Sequence, residues 1–204
     1  RNVNGSGSAA FNSLVPGLTP TIDIYGQFRN LIYGDESASF AFGGTGYASE
    51  DIYAINVARA RYKEGIQAGT WNITLGSGSN IIQLTDNSNT TSVTSFIGSN
   101  EYWLVVSGSN GNPYDGNNIQ TVSGSYGLFF PAIATLILNP RALSLPYASS
   151  GLDLQIDSTS GTAYTSSINT NVDTLYGAMK LGGNFSAQSY ETVSSKYLFT
   201  TVKY

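Results

Sequence analysis

The sequence predicts an all-β fold: an antiparallel β-sandwich, Ig-like or jelly-roll-like, with an extending N-terminal strand. Three observations carry this. Runs of four to eight β-branched and aromatic residues recur between Gly/Asn/Ser turns. Apolar residues make up 41% of the 204 residues and charged residues only 11%, so a sizeable core sits under a surface of hydroxyls and amides. The first seventeen residues alternate in character but lack the bulk to anchor a strand alone.

Taken in order, residues 1–17 form an arm. One face carries Val3, Gly5, Gly7, Ala9, Phe11, Ser13 and Val15; the other is mostly polar, with Ala10 and Leu14 as exceptions. Pro16, Gly17 and Pro20 divide the arm from residues 18–204, which read as a single sandwich domain. Thr21 to Tyr33 reads as a strand bent at Gly26, and Ala38 to Phe42 as a short one. Asp51 to Tyr62 is ambiguous between strand and helix, with its β-branched and aromatic content favouring strand. Helix is expected for at most a turn or two, within Asp51 to Ala60. In Ile66 to Leu75, Trp71, Ile73 and Leu75 share a face.

Gly/Asn turns at 76–80, 98–100 and 108–113 then separate NIIQLT, SVTSFI and EYWLVVS. Leu128 to Leu138 is the most apolar run, expected at the centre of the core and kinked at Pro131. Strands are expected over Leu152–Ile156, Thr162–Ile168, Leu175–Leu181 and Phe185–Val193, and in the closing Tyr197–Tyr204.

The absences restrict the chemistry. No Cys means no disulfide, thiolate or zinc-finger chemistry; no His removes the commonest general base and metal ligand. The net charge is −4, and the basic residues are scattered apart from Arg59, Arg61 and Lys63, which gives no footprint for nucleic acid. No apolar run is long enough to span a membrane. A chain starting at Arg1 suggests removal of a signal peptide. Hydrogen bonding by hydroxyls and amides does not titrate, so stability should depend weakly on pH between about 2 and 7.

Among the 13 acids, Glu64 and Glu101 adjoin aromatic strand residues, as a glycosidase pair would, but solvated turns and strand ends account for the acids better. The oxygen-rich loop Asp86–Asn89 has too few carboxylates for calcium and reads as turn chemistry. No catalytic or metal-binding residue and no cofactor is therefore assigned. Sequons stand at Asn4, Asn72, Asn89 and Asn184; Asn72, Asn89 and Asn184 are the candidate glycosylation sites. Lys180, the lysine with the most apolar neighbours in sequence, is the candidate for an isopeptide cross-link, against the commoner role of a snorkelling surface lysine.

An alternating arm outside the domain, an uncharged Ser/Thr/Asn-rich sandwich, and no Cys or His together resemble the subunits of archaeal surface filaments assembled by donor-strand exchange, of the thread and bundling-pilus type. The resemblance is one of design and composition. It implies an extracellular, glycosylated filament serving adhesion or biofilm, copies joined head to tail, and no catalysis. It would seat Val3 to Val15 in the next subunit's groove. The residues expected to line that groove are Leu128, Phe130, Leu136, Leu138, Leu198 and Val202. A viral coat or tail protein with a jelly-roll sandwich shares the arm and the β content, but a capsid arm would be basic and this one has a single Arg. A secreted carbohydrate-active protein is the third reading.

Overall fold

A computed structural model describes residues 20–35, 37–43, 48–49, 52–91, 94–114, 124–143, 170–196 and 203. The donor arm, the expected strands at Leu152–Ile156 and Thr162–Ile168, and the groove candidates Leu198 and Val202 lie outside them.

Strand dominates, as the sequence predicts. The elements are α1 (Pro20–Tyr33), β1 (Phe40–Ala41), β2 (Ala48–Ser49), β3 (Tyr53–Asn56), β4 (Gly65–Ile66), β5 (Asn72–Ser77), β6 (Asn80–Asp86), β7 (Ser95–Ile97), β8 (Asn100–Ser109), β9 (Asn112–Pro113), β10 (Gly127–Phe130), β11 (Thr135–Leu138), α2 (Pro140–Leu143), α3 (Thr170–Gly182), β12 (Asn184–Ser186) and β13 (Ser189–Tyr190). The main sheet runs β12-β5-β6-β8-β10-β11-β3, with β7 and β9 also paired to β8, and every pairing is antiparallel. It is curled and sandwich-like.

The turns follow the Gly/Asn signals. Gly78–Ser79 joins β5 to β6 and Gly98–Ser99 joins β7 to β8, each with the glycine at positive φ. Asn110–Gly111 joins β8 to β9 with both residues at positive φ (48° and 74°), the geometry a two-residue hairpin favours. Pro131 does more than kink the apolar run: residues 131–134 are the turn of the β10–β11 hairpin, so Leu128 to Leu138 folds back on itself.

Both faces of the sheet are buried. Alternation sends Trp71, Ile73, Leu75, Leu84, Val105, Phe129, Leu136 and Leu138 to one face, where α3 adds Leu175 and Ala178. Trp71 and Phe129 lie at its centre, ring centroids 5.2 Å apart. Leu128, Phe130 and Ile137 point to the opposite face. There Tyr25 and Ile32 of α1 pack with Phe40 and Phe42, and Phe40 meets both Tyr25 and Tyr33 edge to face.

Two expected strands are instead helices. In Thr21–Tyr33 the inward residues are Tyr25, Phe28, Arg29, Ile32 and Tyr33, a 3.6-residue stripe that its β-branched and aromatic content obscures. Pro20 opens this helix at a position where its missing N–H costs nothing. Gly34, at φ 66°, ends it with its N–H donated to Asn30 C=O. Leu175–Leu181 lies within α3, where Leu175, Ala178, Met179 and Gly182 face inward. Helix therefore far exceeds the expected turn or two. In Asp51–Tyr62 strand is confined to β3, and one 3-10 turn forms at Arg59–Arg61. Ile66–Leu75 is broken at Ala68–Gly69, which separates β4 from β5.

Leu84 is fully buried between β5 and β8. Leu84→Ala should lower the unfolding free energy by about 2–5 kcal/mol, read from the midpoint of a denaturant titration; a loss below about 1 kcal/mol would contradict this core assignment.

Among the described residues one ion pair occurs, Lys63–Glu191 at 3.8 Å and well exposed, worth little. Among the described residues, Asp35 has a carboxyl whose pKa is depressed. The Ser37 backbone N–H and then the Ser37 hydroxyl bond its carboxylate and hold its pKa below the usual value, with the Arg29 charge adding to this. A depressed folded pKa gives stability that is present above the unfolded pKa and lost as pH falls through the folded one. Asp35→Asn should therefore lower the melting temperature at pH 7 toward its value in acid and so flatten the limb below about pH 4; an unaltered acid limb would exclude this role.

Candidate functional site

An antiparallel sheet that does not close leaves two edge strands, here β3 and β12. A small apolar void of about 20 Å³ is lined by Ile55 of β3 and Val57 just after it on one side, and by Phe185 of β12 and Ala187 on the other. Ile66, Trp71, Phe129, Ala134 and Leu136 form the rest of its wall. The curl of the sheet thus brings its two edges to one seam. With an apolar lining and room for about one water, the void offers no polar partner to hold that water.

Among the described residues, the outer edge of β3 has no paired strand. Val57 N–H donates to Ala134 C=O at 3.1 Å, which fixes one rung of the ladder with β11. Antiparallel alternation then turns the backbone groups of Tyr53, Ile55 and Val57 toward β11 and those of Ala54 and Asn56 outward. No described strand pairs with that outward side.

The edge on the far side of the seam is itself part of a strap, residues 184–192, laid against β5 and β4. Asn184, Phe185 and Ser186 pair with Thr74, Ile73 and Asn72; Ser189 and Tyr190 pair with Ile66 and Gly65. Glu64 N–H donates to Tyr190 C=O, Gln67 N–H to Gln188 C=O, and Thr192 Oγ1 to the Glu64 carboxylate at 2.8 Å. Yet every residue from 183 to 196 is exposed.

Four of the expected groove residues are already covered. Leu128, Phe130, Leu136 and Leu138 are 0–5% exposed, because α1 and α3 shield the two faces that the sequence left apparently bare. Of the four, Leu136 alone reaches the seam.

The other candidates are also repositioned. Asn72 is buried on β5, where its Nδ2 donates to Asn110 Oδ1 at 2.6 Å and its Oδ1 accepts from Asn110 N–H at 2.8 Å; this packing leaves no place for a glycan. Asn89 is exposed, but its Nδ2 donates to Asn110 C=O. Asn184 is exposed on the edge strand. Lys180 lies on the exposed side of α3, so it lacks the apolar pocket that an isopeptide bond needs. Glu64 precedes β4, and Glu101 lies on β8 opposite Phe96.

The Asp86–Asn89 loop is built by turn chemistry. The fully buried Asp86 carboxylate accepts from Gly69 N–H and Ser88 N–H, and Asn87 Oδ1 accepts from Leu104 N–H. With the Asn72–Asn110 pair and the Thr85 Oγ1 that accepts from Gly111 N–H, these bonds tie the β4–β5, β6–β7 and β8–β9 connections together. Single residues did not mark this network in the sequence. The repeated Asn at turn positions was the available signal.

Glycopeptide mapping of native protein from a glycosylating host should find the modification at Asn184 and none at Asn72. An occupied Asn72 would contradict its burial.

No family model, curated protein or solved structure matches this chain.

Proposed function

We propose that the chain is a structural subunit of an extracellular, pilus-like filament serving adhesion or biofilm, in which residues 3–15 of one copy add as a strand to the sheet of the next. The observation that carries this reading is the edge of β3 that no described strand covers. Ala54 and Asn56 turn their backbone groups outward there, while Ile55 and Val57 point into an apolar seam. Such an edge offers main-chain hydrogen bonds and alternate side-chain pockets, the two requirements of β-strand addition.

The arm supplies the complement. Its period of two would place Val3, Ala9, Phe11, Ser13 and Val15 on the face turned to the seam. Its glycines would let it lie close to the receiving strand. The seam replaces the groove expected over Leu128–Leu138, whose side chains the subunit's own core consumes. Low charge suits the role, since few charges stand on an edge to repel an added strand. The reading requires no catalysis.

Deleting residues 1–16 should abolish filaments in electron micrographs, and adding a peptide of residues 1–16 should raise the melting temperature of the truncated chain. Asn56→Pro should also block assembly while leaving the subunit folded, because the lost N–H faces away from the ladder. A truncated chain that still forms the same filaments would overturn the proposal.

A further inference from the structure

The strap raises a second question, carried by a different edge from the one just assigned. It follows α3, and the change in anchoring is abrupt. Leu175 and Ala178 hold the helix in the core. Gly182 is clamped: a side chain there would strike Thr74 O at 1.9 Å. The next residue, Gly183, stands at φ 72° with open space around it and donates its N–H to Met179 C=O, closing the helix. Beyond that point all residues to 196 are exposed, and Phe185 and Val193 remain 45% and 77% accessible. Only Phe185 and Ala187 reach the seam, while the Tyr190 ring rests on Gly65.

The strap is held chiefly by backbone bonds at a solvent-exposed edge, each worth about 0.5–1.5 kcal/mol net. Such a segment opens at far lower cost than the core. Its site cannot stay empty, because lifting it would bare Trp71 and Ile66, which are 2% and 4% exposed with it in place, along with the inner edge of β5. The strap sequence itself fits that site in register, and every bond it makes in its own chain can be made identically to another copy.

We infer that Asn184–Thr192 is an exchangeable strand: in the assembled protein it leaves its own β4 and β5, pivots at Gly183, and is replaced there by the same segment of a second copy. The partner is therefore another molecule of this chain, bound through β5 and β4 rather than through β3. Neighbours in an assembly would then be joined by a bond in which each completes the other's sheet.

The absence of cysteine makes the test direct. Thr74 and Asn184 are opposed in the β5–β12 register, and paired Cα atoms in an antiparallel ladder lie within about 4.5–5.5 Å, inside disulfide range. Full-length Thr74→Cys and Asn184→Cys chains are purified separately, mixed at high concentration, and treated with a mild oxidant. The link between residues 74 and 184 is then quantified by peptide mass spectrometry. Exchange predicts an interchain 74–184 link at least about tenfold above a control mixture of Thr74→Cys with Ser99→Cys, since a docked strap holds its thiol at an effective concentration near millimolar. A yield equal to the control overturns the inference.

Gln67→Cys with Gln188→Cys gives a second pair across the same contact, used if either first variant fails to fold. Deleting residues 1–16 from both partners separates this inference from the filament reading. The interchain link should survive this deletion whether or not filaments do, and its loss on deletion would overturn the inference.

Discussion

Backbone hydrogen bonding at the borders of an incomplete sheet is the constraint on which the rest of this molecule depends. Each strand satisfies its N–H and C=O groups only while it has a neighbour on both sides. Here the sheet curls until β3 and β12 meet at one apolar seam without pairing to each other. The far edge is a thin strap laid against β5 and β4; the near edge is bare among the described residues. No charged residue stands on β3 to blunt its edge. Natural monomers commonly protect edges with lysines or prolines, whereas β3 carries Tyr53, Ala54, Ile55 and Asn56.

The interior is organised to make that incompleteness tolerable. Helices cover both faces, so the apolar side chains of β10 and β11 are consumed locally. Among the described residues, the large apolar side chains left exposed include Ile81, Phe96 and Tyr114 and, in and just after the strap, Phe185 and Val193. At the end of the sheet where three connections meet, buried amides and one carboxylate replace salt bridges. Asp86 is held by backbone N–H groups, and the reciprocal Asn72–Asn110 contact pins the β8–β9 turn to β5. Buried polar groups that are fully bonded specify one arrangement of loops, which fixes the register of the hairpins leading to the seam.

The sequence was legible where local chemistry dominates. The Gly78, Gly98 and Asn110–Gly111 turns, the inward face of Trp71, Ile73 and Leu75, and the interruption at Pro131 all follow from backbone preferences or from a period of two. In α1 and α3 residue type and periodicity disagree. Ile22, Ile24, Tyr25, Phe28, Ile32 and Tyr33 favour strand by propensity, yet the spacing of the buried residues and the Pro20 and Gly34 boundary signals favour helix. For α3, Leu175 and Ala178 give a weak stripe, and the Gly182–Gly183 stop was the clearer cue.

By itself the sequence determined a strand-rich, disulfide-free fold with an uncharged surface, because composition and turn residues act locally. Only the tertiary structure decided which apolar residues remain available. Leu128, Phe130 and Leu138 look like a groove in the sequence but vanish beneath α1 and α3. Ile55, Val57 and Phe185, unremarkable in the chain, become the walls of a seam. Availability depends on which strands end up at the edges, and that depends on pairings between residues more than a hundred positions apart, such as Phe185 with Ile73. No local pattern encodes such a distance, since the hydrophobic effect that drives the curl is non-directional and register is settled only when the faces meet.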